Sequence, residues 1–162
     1  MTRDVDILII GAGVSGIGVA CRLSDRFPDK SLAILERRET IGGTWDLFRY
    51  PGIRSDSDMF TYSYEFRTWD KPDIFGGAAT IKEYVADTAA AFGVRDKIRF
   101  GRKVLSAAWQ SADATWTVTA LDEKSGESET WTCRFLIACT GYYDYARGFT
   151  PVSYTHLRAH ET

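Results

Sequence analysis

The sequence predicts an α/β fold: a parallel sheet into which a small antiparallel β-meander is inserted. Three observations carry that prediction. An apolar run, Val5-Asp6-Ile7-Leu8-Ile9-Ile10, leads into the glycine loop Gly11-Ala12-Gly13-Val14-Ser15-Gly16. A second apolar run, Leu32-Ala33-Ile34-Leu35, ends in an acid, Glu36, twenty residues after Gly16. From residue 98 onwards the apolar period changes to two.

The first run is mostly apolar and β-branched, as a strand buried on both faces requires. The glycines of the G-x-G-x-x-G loop serve different ends. Gly11 makes a tight turn, Gly13 lets the backbone approach a pyrophosphate, and Gly16 lets helix pack closely on strand. Ile17 to Arg26 then reads as helix, with Val19 and Leu23 at i, i+4 spacing and Pro28 as a stop. The free N–H groups at its start face the phosphates. Glu36 stands where a dinucleotide-binding unit places the acid that accepts ribose hydroxyls. A carboxylate there repels the extra phosphate of NADP, so this first site reads as one for NAD or FAD. Strand, loop, helix, strand and acid fall in register, which separates the pattern from an ordinary glycine turn.

Residues 37–79 are rich in glycine, arginine, aspartate and aromatics and poor in periodicity. A loop this long inside a compact domain is usually functional. Arg37-Arg38-Glu39-Thr40 reads as a solvated turn. Trp45, beside Gly42-Gly43, is either a core aromatic or a flat wall for a ligand. Asp56, with Arg54 two residues away, is either a local turn acceptor or a site group. Neither Tyr62 nor Tyr64 is assigned a role. Thr80-Ile81-Lys82-Glu83 reads as a capping box that opens a helix through about Phe92. Tyr84, Val85, Ala89 and Phe92 are its inward positions and Gly93 its stop.

Ile98-Arg99-Phe100, Val104 to Trp109, Trp116 to Leu121 and Glu129 to Ala138 read as strands. Ser111-Ala112-Asp113 and Lys124-Ser125-Gly126 supply turns. The last strand closes on an unbroken apolar run, Phe135 to Cys139, as expected where it re-enters a buried parallel sheet, and ends at Thr140-Gly141. A plain NAD dehydrogenase domain would alternate βα units. A meander used as the crossover argues for the FAD-binding variant of the Rossmann-like fold.

With 162 residues, 44% of them apolar, the chain makes one domain with a real core. A net charge of −2 without a basic block gives no sign of nucleic acid binding. No apolar run approaches the ~18 residues that span a bilayer. The start does not read as a signal peptide, because its apolar run is short, contains Asp6 and leads straight into the glycine loop. Cys133 and Cys139 would lie about 20 Å apart along one strand, too far for a disulfide. With Cys21 they read as small core hydrophobes of a cytoplasmic protein.

The glycine loop, Glu36, residues 42–64 and Ala138-Cys139-Thr140-Gly141-Tyr142-Tyr143 together resemble class B flavoprotein monooxygenases, the group of Baeyer–Villiger and flavin-containing monooxygenases. The most specific stretch is Gly42-Gly43-Thr44-Trp45-Asp46-Leu47-Phe48-Arg49-Tyr50-Pro51-Gly52-Ile53-Arg54-Ser55-Asp56-Ser57-Asp58-Met59, which is similar to the ethionamide-activating type. The resemblance runs over about residues 4–151. It implies that Gly11, Gly13, Ser15 and Gly16 surround the FAD pyrophosphate and that Glu36 holds the adenosine ribose. Thr44, Trp45, Asp46 and Leu47 would lie along the flavin, and Val104 would meet the adenine through its backbone. Arg54, Ser55 and Asp56 would form a loop that reaches the nicotinamide cofactor. Asp56 would also stand beside the isoalloxazine, as the one catalytic candidate. Thr140-Gly141 matches a second FAD-contacting motif, usually Ala-Thr-Gly, with Cys139 in place of the alanine.

The resemblance further implies NADPH as reductant, O2 as oxygen donor, and a ketone, sulfide, thioamide or amine as small-molecule substrate. The family's second glycine loop for NADPH, its arginine beside the flavin and its domain-linking fingerprint are not in this sequence. The chain therefore reads as a truncated, N-terminal FAD-binding part of such an enzyme, inactive by itself. The alternative is a stand-alone, non-catalytic module that binds FAD or NAD. A flavin disulfide reductase is rejected, since residues 42–60 contain no cysteine. The domain is expected over residues 1–151. Residues 152–162, with both histidines, His156 and His160, read as translated adapter or vector sequence rather than a metal site.

Overall fold

The structure is a computed structural model and describes residues 2–142. The chain runs through β1 (Thr2–Ile10), α1 (Val14–Arg26), β2 (Leu32–Leu35), α2 (Thr44–Leu47), α3 (Met59–Tyr62) and α4 (Ala78–Ala91). It continues through β3 (Ile98–Arg99), β4 (Arg102–Gln110), β5 (Thr115–Asp122) and β6 (Ser128–Ala138). The strands form one sheet of order β3-β2-β1-β6-β5-β4. Neighbours from β3 to β6 are parallel, and β6, β5 and β4 are antiparallel. This is the α/β arrangement expected, with the meander feeding its last strand back beside the first.

The alternation of β1 explains its central place. Ile7 and Ile9 face one layer, with Ile17, Ala20 and Cys21 of α1 and Ile81, Val85 and Ala89 of α4. Leu8 faces the other, where Ala33 and Leu35 meet Val118, Ala120, Trp131 and Cys133 of the curled meander. Burying both faces needs no polar stripe, hence the near-continuous apolar sequence. Asp6 is tolerated because the Ser31 N–H and hydroxyl both donate to it, at 2.8 and 2.7 Å. The three cysteines are free thiols. Burial pushes Cys21 and Cys133 up to about 11, which suits inert core residues.

Two expectations need correction. The helix over the eighties opens at Ala78, with Gly77 as N-cap and no side-chain cap, so Thr80-Ile81-Lys82-Glu83 is not a capping box. Glu83 turns outward to Lys71 at 2.5 Å. The start is set instead by the approach of Gly76 to Met59 and Ile81, where an added Cβ would lie within 2.9 Å of both. The loop 37–79 also contains two single-turn helices. In α3, Asp58 accepts the Thr61 N–H at 2.9 Å, a local cap too short to show as periodicity.

β6 is paired unevenly. It runs beside β1 from Thr130 to Ala138 but beside β5 only from Ser128 to Cys133. Among the described residues no strand meets the far edge of Arg134–Ala138, and Phe135 is 68% exposed. No helix among the described residues is long and apolar enough to cross a membrane. Tyr143 and the tail 152–162, with His156 and His160, lie outside the described residues.

Candidate functional site

The glycine loop closes the carboxyl end of β1. Gly11 sits at φ +101°, and a Cβ there would come within 2.4 Å of the Cys139 carbonyl oxygen. At Gly16 a Cβ would fall 1.9 Å from the Gly11 oxygen. Both positions are therefore held to glycine by the protein's own packing. Gly13 is different. Its φ is −80°, and an added Cβ would meet nothing closer than Gly43 Cα at 3.5 Å, an ordinary contact. What an alanine at Gly13 would obstruct is the space in front of α1, whose N-terminus has no side-chain cap. A cradle of this kind fits a group that approaches the backbone and accepts from free N–H groups, as a pyrophosphate does. Ser15 is exposed beside it.

Glu36 ends β2 and is only 6% exposed. Its two carboxylate oxygens accept the Ala12 N–H and the Arg38 N–H, each at 2.8 Å. The acid thus braces the glycine loop, and each oxygen retains a lone pair for a further donor such as a ribose hydroxyl. Arg38 corrects the expectation of a solvated turn. It is half-buried, and its Nη1 donates to the Gly43 carbonyl at 2.9 Å.

A second glycine pair completes the wall. The Gly42 N–H donates to the Ala12 carbonyl at 3.0 Å, and Gly43, at φ +56°, brings an imagined Cβ to 3.0 Å from Gly13 Cα. From here α2 projects Thr44, exposed, and Trp45 and Leu47, half-buried. The Trp45 Nε1–H donates to the Tyr62 hydroxyl at 2.9 Å, with the rings edge-on at 6.0 Å. Asp46, 7% exposed, is engaged on the side of α4: Lys82 Nζ lies at 2.5 Å and Arg49 at 3.9 Å. Burial pushes this carboxyl up. Hydrogen bonds from Lys82 and Thr40 and the charges of Lys82 and Arg49 outweigh it and leave the group below its usual 3.8.

In the next segment Ser55 is buried in its own turn. Its hydroxyl donates to the Ser57 carbonyl at 2.8 Å and accepts the Ser57 N–H at 3.2 Å. Its neighbours Arg54 and Asp56 are exposed. The Arg54 guanidinium lies 5.8 Å from the Phe75 ring centre. Asp56 makes no hydrogen bond or ion pair with any described residue. Across the site, Cys139 donates its N–H to the Ile10 carbonyl at 2.8 Å, so the backbone of Thr140-Gly141 runs alongside Gly11. Val104 stands half-buried on β4 at a bulge that leaves Leu105 out of register.

Sequence reasoning missed Arg38, Tyr62 and Tyr64. The Tyr64 hydroxyl donates to the Val14 carbonyl at 2.6 Å, and its ring covers Gly18. One signal was available. A glycine inside a helix costs about 1 kcal/mol against alanine, so Gly18 asks for a close neighbour.

Loop, acid and parallel βαβ unit define a Rossmann-like fold. The family profile described as an NAD(P)-binding Rossmann-like domain matches residues 9–78. Over 151 residues the chain is 56% identical to the FAD-containing monooxygenase MymA of Mycobacterium tuberculosis, and 50% identical to the FAD-containing monooxygenase EthA of the same species. Each alignment covers 93% of this chain and 30% of the relative. Among solved structures, OTEMO in complex with FAD and NADP superposes with a TM-score of 0.75 at 33% identity, covering 91% of this chain and 27% of that one. The chain is thus similar over 151 residues to these FAD-containing monooxygenases and spans about 30% of the length of the relatives it matches.

Proposed function

We propose that this chain is the FAD-binding part of an NADPH- and O2-dependent monooxygenase of the Baeyer–Villiger and flavin-containing type. The observation that carries the reading is Gly13, whose missing side chain the protein's own packing does not demand. FAD held here would supply the redox chemistry of a monooxygenase, in which two electrons from NADPH let one oxygen atom of O2 enter a ketone, sulfide, thioamide or amine while the other leaves as water. The chain's own residues bind and orient it. The N–H groups behind Gly13 receive the pyrophosphate, and Glu36 takes the ribose hydroxyls. Trp45, fixed by Tyr62, walls the ring system, while Thr140-Gly141 closes the opposite side. Asp56 offers an unengaged carboxylate to an arginine of the remaining chain. This part alone does not turn over.

Flavin fluorescence titration tests the reading. The chain is expected to bind FAD without consuming NADPH. Glu36→Ala removes charge-assisted hydrogen bonds of about 1.5–3 kcal/mol each and weakens FAD at least tenfold. Unchanged affinity in that variant, or NADPH oxidation by the chain alone, counts against it.

A further inference from the structure

Tyr64 differs from a phenylalanine in this fold at one consequential atom. Its ring stacks on Phe66 at 5.0 Å and Tyr84 at 5.6 Å, and lies against Gly18, where a Cβ would approach Cε1 to 2.7 Å. A phenylalanine would do all of that. The hydroxyl goes further and donates to the Val14 carbonyl at 2.6 Å, in the first turn of α1. Burial keeps this phenol a donor by pushing its pKa far above the usual range.

That carbonyl belongs to the same peptide unit as the Ser15 N–H. The unit is planar, with C=O and N–H on opposite sides. Inside the first turn of a helix the N–H has no intrahelical partner and points out of the N-terminus, while the C=O points along the axis into the helix. A grip on the oxygen therefore fixes the aim of the N–H. Tyr64 holds the back of a peptide whose front faces the cradle at Gly13. Its own N–H donates to the Tyr84 hydroxyl at 2.9 Å, so the grip is anchored on α4.

We propose that Tyr64 is a positioning residue for the dinucleotide, acting through the Val14–Ser15 peptide to orient the pyrophosphate-binding turn. The inference rests on the FAD-binding reading, and the test keeps the two apart. Tyr64→Phe keeps the ring and removes only the hydroxyl. In the whole chain it is expected to weaken FAD about tenfold and to shift the 31P resonances of the bound pyrophosphate. Without cofactor, Tyr64→Phe is expected to speed hydrogen exchange at the Ile17 and Gly18 amides several-fold, with distant β1 amides unchanged. Gly18→Ala, which keeps the hydroxyl but forces the ring off α1, should reproduce the loss of affinity. Parent-like FAD affinity and 31P shifts in Tyr64→Phe overturn the proposal. If the parent chain binds no FAD, the functional reading fails and the cofactor-free exchange decides alone: unchanged Ile17 and Gly18 rates then overturn it.

Discussion

Gly13 and Gly16, three positions apart, are constrained by different things, and alanine tells them apart. Gly16→Ala would drive a Cβ to 1.9 Å from the Gly11 oxygen, so α1 cannot keep its seat on β1 and the fold is lost or severely weakened. Gly13→Ala meets only an ordinary contact, so its thermal melting should stay near the parent's while FAD affinity falls at least tenfold. Equal effects in the two variants would show that Gly13 is also a packing glycine. Asp56 gives the second test at this scale, in the complete monooxygenase proposed above. Asp56→Ala should leave FAD bound, because the pyrophosphate and ribose contacts proposed above lie elsewhere. Stopped-flow flavin reduction or oxygen transfer should slow by roughly 10²-fold, the scale for one preorganised electrostatic group. Rates within about threefold of the parent would make it a plain surface acid. The spacing of Glu36 made its place legible, because the βαβ unit fixes where that side chain ends. Its bracing of the Ala12 and Arg38 amides was not legible, since two free N–H groups leave no mark on a sequence.

Long elements and the short strands β2 and β3 announced themselves, and the short helices did not. α1 and the four longer strands carry several repeats of their period, whereas α2 and α3 hold four residues each and are set by Gly43 and Asp58. The start of α4 was misplaced because Thr80 and Glu83 mimic a local signal, while the real start depends on Gly76 packing against Met59, seventeen residues away. The pairing of Asp46 with Lys82 is tertiary in the same sense, and it holds α2 on α4. The folded-state pKa of Asp46 lies below its ordinary 3.8. A depressed carboxyl stabilises fully above its unfolded pKa, and the contribution drains away as pH falls through the folded one. Lys82→Met should therefore cost about 1–3 kcal/mol at neutral pH, between the values for exposed and buried pairs. Urea melts should show that cost shrinking below pH 3.8. A cost equal at both extremes would mean that the lysine stem, not its charge, is what matters.

For the molecule as a whole, the change of period at residue 98 and the apolar close of β6 were enough to place the meander and its return strand. They could not show that β6 outruns its partner. β5 stops opposite Cys133, while β1 continues to Ala138. The consequence is a strand that keeps two clocks. The Cys139 N–H points to the Ile10 carbonyl, and the two-residue repeat turns the amides of Ile137 and Phe135 the same way. Those of Arg134, Leu136 and Ala138 turn to the side that β5 does not reach. In heavy water, Phe135 and Ile137 should keep their protons on the timescale of β1. The three between and around them should give theirs up at least 10²-fold sooner, roughly the gap between core and locally open amides. Uniform retention from Arg134 to Ala138 would mean that another backbone already lies along that edge. An odd–even comb of deuterium would instead mark, amide by amide, the line along which this sheet is still able to grow.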